Sequence, residues 1–464
     1  MLEALVPLTV LVRMQSVKTS SKPPLPYGHE LVSGGLRMFT MPYGPKWRTY
    51  RTIVHQLVST KMTMTFIPSQ EYEVTQLLAD LLDSNSDQCA FYGHVRRMSI
   101  SILSTSTLGR RIPTANHADI KRARESSKLL GRITRAGVFV EDEVPPLLRL
   151  PVWLQPSYKK AKEYSKVLLD AKLHIWNRLQ VEAKNGKCIP CFGRTLVESN
   201  FREQGLVEAD AAWIVGGLVE AGSETTSVTL LNAILHLAAY PAAQAAAAAE
   251  VAAVVPPSRA PCFADLSSLP HVRAIVKEVL RLRPVPVFGL KHFADEDVTY
   301  KQHSIPAGTV LLANPTAIHF DESRWEKPFE FRPERYLAYD RSSADYASAA
   351  DPLARDHFTF GAGRRICPGV RLAENTLELA VAGILWGFDI RPPLLNGAGK
   401  EPTEGIVDVG VNAFERTAFA GPKPFAVRFV PRSTEAANVI RQNWARKSEE
   451  GYELRGFTVK DEKA

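Results

Sequence analysis

The chain has 464 residues, of which 45% are hydrophobic and 23% charged, so its composition excludes a disordered or fibrous protein and permits a sizeable core. Lysine and arginine outnumber the acidic residues by 57 to 49, a net charge of +8, but they are interspersed with acidic residues and do not indicate nucleic-acid binding. Five cysteines are too few and too irregularly spaced for a secreted disulfide framework.

The first elements in chain order are helices. An apolar stretch at 4–12 is shorter than the about 20 residues that span a bilayer, so no membrane anchor is predicted. The segment 206–240 is apolar nearly all round, which predicts a helix through the core, and Pro241 ends it. Apolar periodicity predicts further helices at 70–83, 157–183 and 270–282, and an alanine-rich helix after Pro241.

The character of the sequence changes after residue 285. Short extended runs at Val298–Tyr300 and 309–312, separated by turn residues, predict a small sheet beside a helical body. A helix is predicted at 370–388 and paired strands at 405–430, and the last two dozen residues read as a charged surface tail. The predicted fold class is therefore mainly α with small β-sheets.

The sharpest local pattern surrounds Cys367. Residues 360–369 read FGAGRRICPG, which places the cysteine between a glycine-containing turn and an apolar helix, where backbone N–H groups and the helix dipole favour a thiolate. Gly363 and Gly369 permit tight backbone paths, and Phe360 can shield the sulfur. A buried thiolate with donors aimed at it is what a haem iron ligand requires, whereas a lone cysteine elsewhere is usually an inert thiol.

This F-x-x-G-x-R-x-C-x-G pattern resembles the haem-binding loop of the cytochrome P-450 family, the haem-thiolate monooxygenases. The resemblance implies that Cys367 is the axial thiolate ligand of haem b. It also implies the cytochrome P-450 fold, in which the haem lies between the long central helix and the loop that carries the cysteine.

The long helix carries a second pattern, AGSETT at 221–226, which resembles the oxygen-activation motif of the family. An acid and a hydroxyl, Glu224 and Thr225, are costly to bury in an apolar helix unless they serve a polar site. Read alone, a serine and threonine cluster is more often back-bonded to its own helix. The resemblance assigns Glu224 and Thr225 to proton delivery, and Gly222 is expected to leave room for a ligand against the helix.

Glu278 and Arg281, in KEVLR, lie one helical turn apart and can pair. An isolated E-x-x-R is usually an exposed ion pair of little value. The segment 333–336, PERY, resembles the P-E-R-F segment of the family, so Arg335 would join the pair in a buried network with a structural role behind the haem loop. His319, in the family-typical AIHFD, is also expected to be structural.

Further residues match the family's contacts with the haem propionates. Trp47 and Arg51 fit its W-x-x-x-R pattern on a helix over the haem edge, with Arg51 binding a propionate. Arg365 and His292 fit the remaining contacts, although Lys291 precedes the histidine where relatives often have proline.

A competing pattern is the C-x-x-C formed by Cys188 and Cys191, which can indicate redox or metal chemistry. No second C-x-x-C and no histidine lie nearby at zinc-finger spacing, and Gly186 and Pro190 favour a loop between helices. The redox or metal interpretation is therefore the less favoured one.

The resemblance extends from about residue 20 to about residue 432, which predicts one haem-thiolate domain there, an irregular N-terminal remnant at 1–19 and a charged tail at 433–464. Eukaryotic-type members begin with a membrane anchor, a hinge, a first helix and two strands of the small sheet. We expect those parts to be missing here, as in a truncated chain. The family implies the endoplasmic reticulum membrane surface, and a cytoplasmic location is the alternative for a chain without an anchor.

The implied activity is the insertion of one oxygen atom from dioxygen into a small hydrophobic organic substrate, as in fungal enzymes of secondary-metabolite biosynthesis. No flavin or nicotinamide fingerprint occurs in the sequence, so electrons would come from NADPH through a flavoprotein reductase. Arg364, Arg365 and Arg371 around the cysteine loop would suit an acidic face of that partner. A monomer is expected.

Two alternatives remain open. The chain can be a catalytically silent remnant, or a haem-thiolate isomerase or dehydratase that consumes no reductant; the intact Glu224 and Thr225 count against the latter. The segments 285–290 and 409–416 and the residues before Ala221 are predicted to line the substrate pocket, and their apolar to mixed composition indicates a hydrophobic substrate.

Overall fold

The computed structural model describes residues 16–84, 86–133, 137–349, 351, 354–395, 403–417 and 419–460. Helices dominate this part of the chain, and the strands are short. The α-helices of six or more residues are α1 (Pro45–Leu57), α2 (Ile67–Asp83), α3 (Phe91–Leu108), α4 (Ala118–Ile133), α5 (Tyr158–Lys184), α6 (Phe192–Val197), α7 (Glu208–Ala239), α8 (Pro241–Val254), α9 (Pro270–Leu282), α10 (Ser343–Ser348), α11 (Val370–Gly387) and α12 (Thr434–Glu450). Shorter α-helices are Ser16–Thr19, Thr60–Met64, Val140–Glu143 and Pro315–His319.

The described strands form two-stranded antiparallel pairs. The strands are β1 (His292–Phe293), β2 (Val298–Tyr300), β3 (His303–Ile305), β4 (Val310–Leu311), β5 (Phe388–Arg391), β6 (Leu394–Leu395), β7 (Thr403–Glu404), β8 (Arg428–Pro431), β9 (Tyr452–Leu454) and β10 (Phe457–Val459). The pairs are β1 with β4, β2 with β3, β5 with β8, β6 with β7 and β9 with β10. The mainly α class with small sheets is confirmed.

The helices predicted from apolar periodicity are present as α2, α5, α7, α9 and α11. Proline sets several of their ends, because it lacks the N–H that a helix interior needs and is tolerated in the first turn. Pro270 begins α9, and Pro241 ends α7 and begins α8.

The long helix α7 runs through the core and positions the site. It packs against α3, α5, α9 and α11. One apolar cluster joins its C-terminal half to α2, α3, α8, α9 and α11, and a second joins its N-terminal half to α1, α5 and α6. A loop before α11 faces α7, and the space between them is the principal cavity described below.

The structure corrects the prediction that strands within 405–430 pair with each other. The run FAVRFV does contribute a strand, but that strand, β8, pairs with β5 directly after α11, where Ile390 faces Phe429. Among the described residues of the segment, the pairing within it is limited to an isolated bridge between Phe414 and Pro422 and the backbone hydrogen bonds beside that bridge. Local alternation predicts that a strand exists, whereas its partner is selected by the long-range packing of apolar faces.

The charged segment after residue 432 differs from the expected surface tail. Residues 434–450 form α12, which packs on α2, and β9 and β10 form a hairpin beyond it. Ile440 and Leu454 are 1% and 0% exposed and belong to the two large apolar clusters. Charged and hydrophobic residues are about equally frequent in this segment, and its buried apolar residues join two different clusters of the core.

The described residues of the expected N-terminal remnant, 16–19, and the two residues that follow them pack against the rest of the protein. Ser16–Thr19 is a helical turn, and Ser21 forms an isolated bridge with Phe293 of β1. Thr19 and Ser20 are fully buried. Residues 1–15 lie outside the described part of the chain.

Across the described residues, no helix by itself has the length and apolar composition of a membrane span. Only α7 and α8 together satisfy both criteria, and they are bent by 106° where they meet.

Candidate active site

A cavity of about 2030 Å³ lies between α7 and the loop that precedes α11. Every residue predicted to contact haem or deliver protons lines it, whereas the predicted structural network lies outside it. The lining residues of that prediction are Trp47, Arg51, Gly222, Glu224, Thr225, His292, Phe360, Arg365 and Cys367. The segment 285–290 and most of 409–416 line the same cavity, as expected for the substrate pocket.

The loop of Cys367 is closed by its own backbone. The Cys367 N–H donates to the Phe360 carbonyl oxygen at 2.9 Å. Both residues line the cavity. Gly361 and Gly363 have φ of +76° and +61°, a region that other residues rarely adopt. Gly369 has φ of −90°, so the tight path expected there does not require glycine.

The protein alone does not favour the Cys367 thiolate, in contrast to the expectation from the sequence. Burial raises the pKa of the thiol, while the Gly369 N–H and the Arg51 guanidinium act in the opposite direction without overcoming it. The donors expected at this position are present, but the loss of water outweighs them. A bound metal cation would deprotonate such a thiol directly.

Trp47, Arg51 and Arg365 form one end of the cavity. Nη2 of Arg51 donates to the Ile366 carbonyl oxygen at 2.7 Å, which ties α1 to the cysteine loop. The Arg365 guanidinium lies 4.1 Å from the Trp47 ring centroid. It also donates to backbone carbonyl oxygens of the segment before α1, those of Ser20, Met38 and Met41.

Lys22 adds a third cation that sequence reasoning missed, since no motif marks it. The residue is 6% exposed, lines the cavity, and donates from Nζ to the Lys291 carbonyl oxygen at 2.7 Å. Burial and then Arg365 lower its pKa to about 7, and burial and then Arg51 lower the pKa of Arg365 to about 9. Within the described residues, none of the three cations forms a salt bridge with a carboxylate.

These residues fit haem. Buried cations that repel one another are costly unless anions join them, and the two propionates of haem would supply those anions beside Lys22, Arg51 and Arg365. The Cys367 sulfur faces the same cavity and is a suitable iron ligand.

His292 lies in the cavity wall, but its hydrogen bond limits what it can hold. Its Nδ1 lies 2.8 Å from the Thr19 carbonyl oxygen, which only accepts, so Nδ1 carries the hydrogen. Burial and then Lys22 lower the pKa of His292 to about 3, which leaves Nε2 of the neutral ring as an acceptor. The ring would have to gain a proton before it could donate to a propionate.

Glu224 and Thr225 lie on the face of α7 that lines the cavity. The Thr225 hydroxyl donates to the Ala221 carbonyl oxygen at 3.0 Å, the back-bonding expected of a helical threonine, and its oxygen can still accept. Oε1 of Glu224 lies 3.9 Å from Nη2 of Arg96 in α3. Arg96 also lines the cavity and is a second residue that no sequence pattern marked.

The structure modifies the prediction that Gly222 leaves room for a ligand against the helix. A Cβ built on Gly222 would lie 2.6 Å from Cδ1 of Leu103, so α3 fills much of the room expected for a ligand. The glycine lets α3 and α7 approach closely while its backbone borders the cavity.

The structure brings Glu278, Arg281 and Arg335 together outside the cavity. Glu278 and Arg281 are both 0% exposed and pair in a bidentate manner at 2.7 and 2.9 Å, and Nε of Arg335 lies 3.2 Å from Oε1 of Glu278. His319 accepts at Nε2 from the Phe358 N–H and its Nδ1 donates to the Arg281 carbonyl oxygen, both at 2.8 Å. This network therefore connects α9 to the loop that leads to Cys367.

Cys188 and Cys191 lie in the predicted loop, between α5 and α6. Their sulfurs are 3.8 Å apart, both residues are buried, and neither is in a disulfide. The Cys191 sulfur accepts from the Arg194 N–H at 3.3 Å and so caps α6. Among the described residues, no group of histidine, cysteine and acidic residues is arranged to hold a metal ion.

The family model "Cytochrome P450" matches residues 9–407. Cytochrome P450 monooxygenase pgmC of Aspergillus terreus is 46% identical over 451 residues, covering 97% of this chain and 81% of that protein. Cytochrome P450 monooxygenase verL of Clonostachys rogersoniana is 34% identical, covering 93% and 78%. A zebra fish cytochrome P450 solved with progesterone has a TM-score of 0.70 at 22% identity, covering 92% of each chain.

The chain therefore belongs to the cytochrome P450 family and has the cytochrome P450 fold. It is a monooxygenase, an oxidoreductase that incorporates oxygen from dioxygen into its substrate. The family implies a haem-thiolate cofactor, in agreement with the cations and the cysteine of the cavity.

The arginines expected to form a basic docking face do not all lie on the surface. Arg365 points inward and donates to the carbonyl oxygens named above, so it belongs to the cavity. Arg371 pairs with Asp345, whereas Arg364 is exposed and lies over the Tyr43 ring.

Proposed function

We propose that this chain binds haem b through Cys367 and oxidises a small hydrophobic organic substrate in fungal secondary-metabolite biosynthesis. The observation that carries the proposal is the arrangement of one cavity. The cysteine loop and the part of α7 that carries Glu224 and Thr225 line that cavity together. At one end of it lie three cations that form no salt bridge within the described part of the chain. The resemblance to fungal monooxygenases supports the assignment.

In this proposal the Cys367 sulfur holds the iron, and Lys22, Arg51 and Arg365 hold the propionates. Bound haem would supply the iron-centred redox chemistry that activates dioxygen. The propionates would give the three cations anionic partners at hydrogen-bond distance, which would offset their mutual repulsion.

Glu224 and Thr225 are proposed to deliver protons. The Thr225 hydroxyl donates to Ala221, so its oxygen can accept a hydrogen bond from water or from a group in the cavity. Glu224 lies opposite Arg96, and both side chains line the cavity. Phe360 is proposed to shield the Cys367 sulfur from water.

Electrons are proposed to come from NADPH through a flavoprotein reductase. Arg364, exposed beside the cysteine loop, is a candidate contact for an acidic face of that partner. The proposed location is the endoplasmic reticulum membrane surface, with the cytoplasm as the alternative.

The test is the spectrum of the reduced protein with carbon monoxide. The chain is expressed with haem and reduced by NADPH and a fungal reductase, or by dithionite as a check on the reductase. We expect the red-shifted Soret band of a thiolate-ligated haem. Folded protein without this band would contradict the proposal, and a band that appears only with dithionite would contradict the reductase assignment.

Two cysteine variants are the matched controls. Cys367→Ala should abolish the thiolate band, whereas Cys188→Ala should leave it unchanged because its sulfur faces Cys191 and not the cavity. If substrate is converted without consumption of NADPH, the isomerase or dehydratase alternative replaces the monooxygenase.

A further inference from the structure

A charged cluster lies in the wall of the otherwise largely apolar cavity, outside the haem contacts. Nη2 of Arg37 donates to Oε1 of Glu220 at 2.8 Å, and Nζ of Lys172 donates to Oε2 at 2.9 Å. The three residues come from the segment before α1, from α7 and from α5. Arg37 and Glu220 line the cavity, and Lys172 supports them from behind.

The helix α7 is shaped to admit this lysine. Lys172 is 4% exposed and lies across Gly216, where a Cβ would come within 2.4 Å of its Cδ. Its Nζ also donates to the Gly216 carbonyl oxygen at 2.8 Å. Any residue other than glycine at 216 would push the lysine away, so the second cation is part of the packing of α5 on α7.

The cluster has one positive charge in excess. Burial would raise the pKa of Glu220, but Arg37 and Lys172 outweigh burial and hold the pKa below its ordinary value, so the carboxylate is ionised. Two cations therefore surround one anion. A structural ion pair that joins two elements needs only one cation and one anion. Burying a second cation without a counter-ion of its own is costly.

Arg37 also has an unused donor. Its Nε is buried and has no hydrogen-bond partner within the described residues. Glu220 precedes Glu224 by four positions on α7, about 6 Å along the helix axis, so the cluster lies one turn from the proposed proton-delivery residues. A ligand held by Arg37 would therefore lie next to the reacting end of the cavity.

We propose that Arg37 is a specificity-determining residue that binds a carboxylate of an otherwise apolar substrate, with Lys172 and Glu220 holding it in position. This inference rests on the proposed function and names a substrate class for it. The carboxylate would balance the excess charge, because a guanidinium offers donors in a geometry that matches a carboxylate.

The experiment compares two probes of the same shape, 2-naphthoic acid and methyl 2-naphthoate. Their dissociation constants for the haem-loaded protein are measured by Soret titration and by equilibrium dialysis. We expect the acid to bind at least about tenfold more tightly than the ester, as a charge-assisted hydrogen bond implies. Arg37→Gln should remove this preference without changing the ester, and Arg37→Lys should keep part of it.

A second variant moves the result in the opposite direction. Glu220→Gln keeps one oxygen that can accept from one of the two cations but removes the anion of the cluster, so acid binding should tighten. A purely structural tie would instead weaken the binding of both probes. Arg48→Gln is the matched control, because it removes the same charge from an exposed position on α1 and should change neither constant.

Failure of this inference is distinguishable from failure of the proposed function. Protein that shows the thiolate band and binds the ester but does not prefer the acid would overturn the carboxylate assignment alone. Acid binding that is unchanged in Arg37→Gln would overturn it as well. Folded protein without the thiolate band would instead contradict the proposed function.

Discussion

Lys22 is a buried cation that forms no salt bridge with a carboxylate of the described residues. Its side chain is buried beside Arg365, and its pKa falls from the ordinary 10.5 to about 7. Between these two values the unfolded chain binds more protons than the folded one. The cost of burying the charged amine is therefore fully present below pH 7 and decreases as the pH rises to 10.5.

We predict that the haem-free protein becomes more stable from pH 7 to pH 10 by up to about 1.4 kcal/mol per pH unit through Lys22. Lys22→Met should be more stable than the parent below pH 7 and should lose this advantage towards pH 10. The measurement is urea unfolding of both proteins across this range. In haem-loaded protein the same variant should release haem faster, because a propionate contact is lost; equal release rates would refute the assignment of Lys22.

Thr225 is expected to act through its hydroxyl. Thr225→Ala should increase the dioxygen consumed per product by several-fold while leaving the thiolate band intact, because proton delivery fails but haem binding does not. The check is the ratio of oxygen uptake to product. Ser227→Ala removes a hydroxyl that back-bonds to Glu224 on the same helix but does not line the cavity, so its ratio should stay at the parent value.

At the scale of elements, one carboxylate joins α9 to the turn at Pro333–Tyr336. Glu278 accepts from Arg281 on its own helix and from Arg335 and the Arg332 N–H on the turn. Arg281 also donates to the His319 carbonyl oxygen. Three chain segments behind the cysteine loop therefore depend on one buried ion cluster.

Glu278→Ala should lower the free energy of unfolding by about 3–5 kcal/mol, because it leaves Arg281 buried without a counter-ion. Arg335→Ala should cost less, about 1–2 kcal/mol, because the side chain of Arg335 is 11% exposed and Glu278 keeps its bidentate partner. Chemical denaturation of the three proteins measures both effects. Equal losses would show that the network does not centre on Glu278.

At the scale of the whole molecule, the C-terminal segment packs against the helices of the core. The hairpin of β9 and β10 adds Leu454 and Val459 to the cluster that contains α1, α5 and α6. The Tyr452 ring lies 4.8 Å from that of Tyr72 in α2. The last described elements thus pack against α2 and against the cluster that contains α1, α5 and α6.

Leu454→Ala should destabilise the protein by about 2–5 kcal/mol, the usual cost of a cavity at a fully buried leucine. Glu453→Ala, at an exposed neighbour, should change stability by less than about 0.5 kcal/mol. Thermal unfolding of haem-loaded protein compares the two. A Leu454→Ala protein as stable as the parent would contradict a stabilising role for this packing and would favour the surface tail predicted from the sequence.

The sequence by itself determined the helices α2, α5, α7, α9 and α11, the motifs and their family. AGSETT places Glu224 and Thr225 at consecutive positions of a helix, and FGAGRRICPG describes a turn whose glycine at 363 has positive φ. Such patterns are local: they depend on backbone preferences and on burial within a turn or two, which a single segment carries. The E-x-x-R pair was recognisable for the same reason.

Only the tertiary structure decided which distant residues share the cavity. Arg37 and Glu220 are 183 residues apart, and Lys22 and Lys291 are 269 apart, so no local pattern relates them. The partner of β8, the burial of Leu454 and the space taken by Leu103 beside Gly222 were decided in the same way. The physical reason is that charge compensation and packing depend on distance in space, which a chain acquires only when its segments have folded against one another.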